Sequence, residues 1–316
     1  MDRDLGRPSD VYPGRMRRVE FAEYGPPGVL TVVARPTPVP GPGEVLVAVR
    51  SAGLQPYDVK LRRGDLRGQV DLALPYCGGS ELAGVVVAAG PGVAAFAAGD
   101  EVLGFVADGA LATHSVVPAD RLVRRPPELA WAAAGALSAS GQTADLALAA
   151  LAVAAGETVL VHAAAGGVGS MAVQLAAARG ARVVGTASPR NHDYLRGLGA
   201  TPVTYGPGLV DRVRAAAPAG VDAALDAAGR DALVPSLELV ADPARVLTIA
   251  DWAGAAALGV RTLQGTRTAG RLADLVGLCV AGRLRVEVAR TFPLAEAVAA
   301  HALLETGHVR GKVVLV

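Results

Sequence analysis

The stretch ETVLVHAAAGGVGSMAVQLAAARGARVVGTASPR, residues 157–190, decides how the chain folds. Thr158, Val159, Leu160 and Val161 make a short apolar run, as a strand buried on both faces requires, and residues 163–169 follow as a turn of small residues. Met171, Leu175 and Ala178 then recur at helical spacing until Gly180 supplies a stop, and residues 182–186 form a second apolar strand. Strand, turn, helix and strand occupy about 30 residues, the length of a βαβ crossover.

The composition of the turn follows from what such a turn holds. Gly166, Gly167 and Gly169, with Ala165 and Val168 among them, let the backbone bend tightly, approach a pyrophosphate and pack the helix against the strand. N–H groups at the helix start are left for the phosphate charge. The spacing reads Ala163-x-x-Gly166-x-x-Gly169, with alanine where the usual fingerprint has its first glycine. Its position between a strand and a helix is what marks this glycine-rich turn as a dinucleotide site.

The end of the second strand selects the dinucleotide. An NAD site ends there in Asp or Glu, which accepts from the ribose 2′-OH; this strand runs into Thr186-Ala187-Ser188-Pro189-Arg190, with no acid. A hydroxyl and a guanidinium suit a 2′-phosphate, so Ser188 and Arg190 predict NADPH. Ser188 is also placed to cap the next helix, with Pro189 as its first residue and Arg190 solvated in the first turn. The two readings are compatible.

At 316 residues two domains are expected, and the formal charge of +1 gives no footprint for nucleic acid or an anionic membrane. Hydrophobic residues are 52% of the chain, much of it alanine, and no run approaches the ~20 strongly apolar residues of a membrane span. Residues 1–15 are polar, contain Pro and Gly and lack a signal-peptide apolar region, so they read as a disordered extension. Cys77 and Cys279 offer neither a disulfide framework nor a zinc pattern, which fits a reducing cytoplasm.

From Arg17 onward the chain shows short strands, at 17–21, 29–33, 45–51, 84–89, 101–105 and 112–117, punctuated by turn residues. Pro36, Pro38, Pro40 and Pro42 with Gly41 and Gly43 make a rigid loop before the third. Residues 130–151 turn helical, interrupted by Gly141, and lead into the dinucleotide unit. Further strands are expected at 221–226 and 246–250, separated by helical segments as a doubly wound sheet requires. The last part, from Arg271, carries two amphipathic helices and a final apolar strand at 312–316.

This order, an N-terminal β domain, a central Rossmann domain and a returning tail, resembles the medium-chain dehydrogenase/reductase superfamily, on its zinc-independent quinone oxidoreductase and enoyl reductase branch. The resemblance rests on GVLTVVARPTPVPGPGEVLVAVRSAGLQPYDVKLRRG, GGSELAGVVVAAGPGVAAFAAGDEVLGF, HAAAGGVGSMAVQLA, ARVVGTASPRNHDYLRGLGA, GVDAALDAAG and the terminal GHVRGKVVLV. It implies an α/β protein with a GroES-like β domain at 16–130 completed by 266–316, around a Rossmann NADPH domain at 131–265. It also implies a homodimer formed through the last Rossmann strands, for which the small apolar segment 253–260 is a suitable face.

Zinc enzymes of the superfamily carry a Cys after the third β strand and a Gly-His-Glu motif; here the equivalents are Gln55-Pro56-Tyr57-Asp58 and Gly79-Ser80-Glu81, so no metal is expected. Hydride transfer to an activated C=C or quinone is then the implied chemistry. The loop at 55–60 is expected to face the nicotinamide, with Gln55 in place of the usual Asn, and Tyr57 and Lys60 as donors for oxyanion charge or a proton. Packing for Tyr57 and solvation for Lys60 are the competing readings. By resemblance Thr143 lies near the nicotinamide and Tyr205 near the adenosine phosphate, and Asp251 joins the cofactor-binding set. A small-molecule substrate is implied; an NADPH-binding sensor or structural dimer without turnover is the alternative from another class.

Overall fold

The computed structural model describes residues 14–316 and divides into two compact units. One runs up to Ser138 and includes Arg290–Gly307 and Val313–Val316; the other holds Ala139–Ala289 and His308–Lys312. The expected extension at 1–15 lies mostly outside the described residues, and Arg15 already opens the first strand.

In the first unit β1 (Arg15–Glu20) and β2 (Thr31–Pro36) pair as an antiparallel ribbon. The expected strand at 29–33 starts later, because Pro27 opens a single 3-10 turn at Pro27–Val29 and the Leu30 N–H closes it on the Pro27 carbonyl. β3 (Glu44–Leu54) leads through Gln55 into α1 (Pro56–Arg63), and β4 (Glu81–Ala89), β5 (Glu101–Phe105), β6 (His114–Pro118) and β7 (Leu122–Arg124) follow. With its 11 residues β3 is long enough to share one edge between two strands: Glu44–Ala48 faces β6, and Ala52–Leu54 faces the last strand of the chain. Helix α2 (Trp131–Ala134) then packs on β3, with the Ser51 hydroxyl donating to the Trp131 carbonyl at 2.5 Å.

The helical break expected at Gly141 lies instead at Gly135, which ends α2. A Cβ at 135 would come 2.6 Å from the Ser51 carbonyl oxygen, and the Gly53 N–H donates to the Gly135 carbonyl at 2.8 Å, so a close approach of two backbones sets the break. Gly141 sits within α3 (Ser138–Ala150).

The second unit continues with β8 (Thr158–His162), α4 (Gly167–Ala178), β9 (Arg182–Thr186), α5 (His192–Gly197), β10 (Ala200–Val203), α6 (Leu209–Ala216), β11 (Ala223–Asp226), α7 (Leu233–Leu239), β12 (Val246–Thr248), α8 (Trp252–Leu258), β13 (Arg261–Thr262) and α9 (Ala269–Val280). Its six strands are parallel in the order β10-β9-β8-β11-β12-β13, the Rossmann order, which reverses between β8 and β11. Leu160, Val184, Val213, Ala224, Leu233 and Val246 meet in its core. Helix α4 stops where the sequence placed its stop: Gly180, at φ 83, donates to Ala177, and Ala181 donates back to Ala176, the paired bonds of a Schellman cap.

Helix α9 groups with this unit, which corrects the expected boundary at 265/266. Its start is tied there: the Thr268 N–H donates to Gln142 Oε1 at 2.8 Å, and Arg271 pairs with Asp145 of α3. The chain ends with β14 (Val288–Phe292), α10 (Ala297–Glu305) and β15 (Lys312–Leu315), giving a seven-stranded sheet ordered β14-β15-β3-β4-β5-β7, with β6 on β3. Among the described residues no helix is long and apolar enough to cross a membrane.

Two buried imidazoles make the fold acid-sensitive. His162 ends β8, and since the Ser236 hydroxyl donates to the Ala232 carbonyl, the His162 Nε2 N–H donates to Ser236 Oγ at 2.9 Å. Burial pushes this ring down to about 4, against the pull of Asp226. His301 on α10 has neither ring nitrogen hydrogen-bonded and lies by the buried Arg62, which pairs with Glu305; burial, then that positive charge, pushes it down to about 4. Because both folded-state values lie below the unfolded value of about 6.5, the stability they contribute is complete above pH 6.5 and is lost as pH falls toward 4. The urea midpoint should therefore drop between pH 7 and pH 4.5, and His301→Leu should flatten that dependence; an unchanged pH slope would show that His301 does not contribute.

Candidate active site

The phosphate turn is built by close approaches. At Gly169 a Cβ would lie 2.2 Å from the Ala163 carbonyl oxygen, so helix α4 can reach strand β8 only without a side chain there. Gly166 is the N-cap of α4 in extended geometry, and its N–H donates to the Ala163 carbonyl at 2.9 Å. Gly166, Gly167 and Val168 are half-buried while Ala165 is buried, so the start of the helix stays open to a ligand. The crest of β9 fastens the turn: Thr186 accepts from the Ala163 N–H through Oγ1 at 3.2 Å and from the Ala164 N–H through its carbonyl at 3.0 Å. Ala163 itself has φ 51, the left-handed region that an alanine enters at a cost of about 1–2 kcal/mol. The alanine that departs from the fingerprint thus keeps the backbone shape its glycine would have.

At the end of β9 Ser188 caps a 3-10 turn, Pro189–Asn191, with no side-chain cap bond, and Asn191 Nδ2 lies 3.4 Å from Ser188 Oγ. Arg190 reaches across to the tail, where its Nη2 donates to the His308 carbonyl at 3.0 Å. Arg190, Asn191, Ala289, His308 and Arg310 line an open cavity of about 320 Å³. Arg310 is steadied from behind by Glu287 at 3.3 Å and by the Tyr194 ring, 5.1 Å from its guanidinium carbon. Asn191, His308 and Arg310 were not picked out from the sequence; the signal available was two basic residues beside Gly311 in GHVRGK.

The remaining cofactor candidates are dispersed over the same unit. Thr143 is half-buried on α3, and Tyr205, half exposed after β10, has its backbone carbonyl near Arg212 Nη2 at 3.4 Å. Asp251 caps α8, accepting from the Gly254 N–H at 2.8 Å, so its carboxylate is engaged locally. Asp226, overlooked in the sequence although it lies in GVDAALDAAG, is fully buried at the crest of β11. Its oxygens accept from the Ala228 and Gly229 N–H groups at 2.8 Å and from the Thr248 hydroxyl at 2.7 Å, which pins the loops above β11 and β12.

In the first unit, Gln55 caps α1. The buried Asp58 folds back to accept the Gln55 N–H at 2.8 Å and, through its other oxygen, the Gly79 N–H at 3.0 Å. The Gln55 side-chain amide donates to Glu81, whose carboxylate is fully buried. Tyr57 and Lys60 follow at i and i+3, on one face of the helix, Tyr57 40% exposed and Lys60 half-buried. Burial first, then the charge of Asp58, raises the Tyr57 phenol above its ordinary value, which keeps it a hydrogen-bond donor. Burial also pushes the Cys77 thiol up to about 12, the behaviour of an apolar filler. Among the described residues no three His, Cys, Asp or Glu side chains gather as a metal would need.

The one departure from the fingerprint, Ala163, and its last glycine, Gly169, test the turn in opposite directions. Ala163→Gly removes left-handed strain and should leave the melting temperature equal or higher, whereas Gly169→Ala forces α4 from β8 and should lower stability by more than about 2 kcal/mol. Thermal melts of both variants check this; a melting temperature lowered by Ala163→Gly would show that the strain is not there.

Comparison with known proteins joins these two halves. Residues 41–127 match the family model for the alcohol dehydrogenase GroES-like domain, and residues 198–315 that for zinc-binding dehydrogenase. The chain is 36% identical over 291 residues to the spectinabilin polyketide synthase system protein NorB of Streptomyces orinoci, covering 87% of this chain but only 13% of that protein. It is 34% identical to a quinone oxidoreductase of Pseudomonas aeruginosa, across 95% of this chain and 99% of that one. The crystal structure of Escherichia coli quinone oxidoreductase complexed with NADPH superposes with a TM-score of 0.85 at 27% identity, covering 95% of this chain and 99% of the other. The chain belongs to the medium-chain dehydrogenase/reductase superfamily, on its quinone oxidoreductase and enoyl reductase branch.

Proposed function

We propose that the chain is an NADPH-dependent, zinc-independent reductase that delivers hydride to an activated double bond: a quinone, an enone or an enoyl thioester. The observation that carries the cofactor is the cavity at the end of β9, where Arg190 and Arg310 bring two guanidinium groups together beside Asn191 and His308. Two guanidiniums match a 2′-phosphate in charge, and the half-buried start of α4 at Gly166, Gly167 and Val168 leaves its first N–H groups for a pyrophosphate. The NADPH complex of the Escherichia coli relative supports the same choice.

NADPH, when bound, supplies the hydride. The chain's residues would do the rest. The N-terminus of α4 with Ala165, Gly166, Gly167, Val168 and Gly169 would hold the pyrophosphate; Ser188, Arg190 and Arg310 the 2′-phosphate; Tyr205 would flank the adenosine and Thr143 the nicotinamide. Asp251 is left out, since it caps α8. Without Cys and His at 55 and 80 as ligands for a Lewis acid, charge developing on the substrate oxygen needs hydrogen-bond donors. Tyr57, exposed and held protonated, would serve that role, with Lys60 one turn on. Gln55 positions the helix: its amide serves Glu81.

One observation favours a second reading, binding without turnover: Gln55 presents its amide inward, where the usual Asn would face the nicotinamide. Stopped-flow oxidation of bound NADPH by 1,4-benzoquinone, an enone and crotonyl thioester separates the two. Oxidation supports the reductase, and the fastest substrate names the class; binding with no oxidation by any of them establishes the second reading. The match to NorB favours the enoyl thioester, as for a discrete enoyl reductase of polyketide assembly.

Losing one charge-assisted phosphate contact costs about 1.5–3 kcal/mol, so Arg190→Ala should raise the NADPH dissociation constant more than tenfold and leave NADH nearly unchanged in a fluorescence titration. Equal effects on both cofactors would sink the assignment. Activity should survive exhaustive chelation; loss restored by zinc would contradict the reading of Gln55 and Ser80.

A homodimer and a cytoplasmic setting belong to the same proposal. The sheet edge at β13 is only two residues long, and α8 beside it exposes Trp252 and Leu258, a face suited to cover by a second copy. Both thiols, Cys77 and Cys279, are free, as a reducing compartment keeps them. Light scattering at micromolar concentration should give twice the 31.8 kDa chain mass; the monomer mass would contradict the dimer.

A further inference from the structure

Lys312, the first residue of β15, is only 3% exposed, and its backbone is held from two sides. Gly311 before it has φ 75, and a Cβ there would lie 2.2 Å from the Glu287 carbonyl oxygen, so only glycine passes this point. The Gly311 N–H donates to the Ala165 carbonyl at 2.8 Å and the Lys312 N–H to the Glu287 carbonyl at 2.9 Å. Gly311 also forms a parallel bridge with Gly166. The tail is thus a third wall of the phosphate turn.

From that anchor the Lys312 side chain crosses the start of α4. A Cβ at Gly167 would come 2.9 Å from Lys312 Cδ and 3.1 Å from Ser140 Oγ, so the lysine stem occupies the place of a side chain at 167. Its Nζ lies 3.1 Å from Ser140 Oγ on α3, three residues before Thr143. A buried lysine stem therefore lies against the first turn of α4, where the helix dipole already favours an anion, with its Nζ on Ser140. Low polarisability around it makes its field reach further, and with less screening, than a surface lysine's would.

We propose that Lys312 is a positioning residue for the dinucleotide: its stem shapes the floor of the phosphate turn, and its ammonium adds a fixed positive charge toward the pyrophosphate while linking α4 to α3 through Ser140. This rests on the NADPH reading above. It gives Gly167 a reason beyond tight turning, since the position must stay empty for the lysine to pass.

Binding rather than turnover tests it. NADPH, which has a pyrophosphate, and adenosine 2′-monophosphate, which has only the 2′-phosphate, are titrated against wild type, Lys312→Met and Lys312→Gln. Methionine keeps the stem without the charge; glutamine keeps a donor for Ser140, and either suffices if the other fails to fold. Both should weaken NADPH more than tenfold while changing adenosine 2′-monophosphate less than twofold, the opposite of a variant that damages the whole site. Unchanged NADPH affinity, or equal loss of both ligands, overturns the proposal and leaves the NADPH reading standing. A wild-type protein that binds neither NADPH nor adenosine 2′-monophosphate overturns both.

Discussion

Much of the second unit depends on one contact, the approach of Gly169 on α4 to the Ala163 carbonyl at the end of β8. Because no side chain stands between helix and strand, the start of α4 comes down onto the crest of the sheet with its first N–H groups uncommitted. The cost appears next door, in the left-handed backbone of Ala163, and the crest of β9 holds it there through Thr186. Strain at one residue and an empty Cβ at another are the two conditions that bring the start of α4 onto the crest of the sheet.

How far the sequence could be read follows from how local each determinant is. Strand β8, helix α4 and strand β9 were legible to within a residue or two because an apolar run, a helical period and a glycine stop lie within one short stretch, and the Schellman bonds at Gly180 realise that stop. The break at Gly135 was not legible, since it is imposed by Ser51, more than eighty residues earlier. Strands β7 and β13, three and two residues long, carry too little pattern to be seen. The grouping of α9 was misjudged for the same reason as Gly135: it is settled by Gln142 and Asp145, which no window around residue 270 contains.

The site shows the same division. Ser188 and Arg190 were singled out because they follow the glycine turn at a set interval, and the structure adds that Arg190 faces His308 and Arg310. Lys312 was legible only as the start of an apolar terminal strand, and His308 and Arg310 only as charges before it; where they lie depends on Gly311, whose positive φ and closeness to Glu287 bring the tail against the turn. Gln55 illustrates the reverse. Its type departs from the resemblance, yet its surroundings explain the departure: the longer amide reaches Glu81 while its N–H is held by Asp58.

That local network bears on how the start of α1 is held without Cys and His ligands. A zinc site would fix the loop by coordination; here Asp58 fixes it by accepting from both Gln55 and Gly79, and Glu81 fixes the side chain of Gln55. Buried carboxylates are costly unless each oxygen is satisfied, and the two oxygens of Asp58 are engaged by backbone donors on separate segments. The loop is therefore rigid for the same reason a liganded loop is rigid, with hydrogen bonds in place of coordination. What rigidity leaves available is the exposed face of α1, where burial and the charge of Asp58 keep the Tyr57 phenol a hydrogen-bond donor, so Tyr57 is the residue proposed for the substrate oxygen.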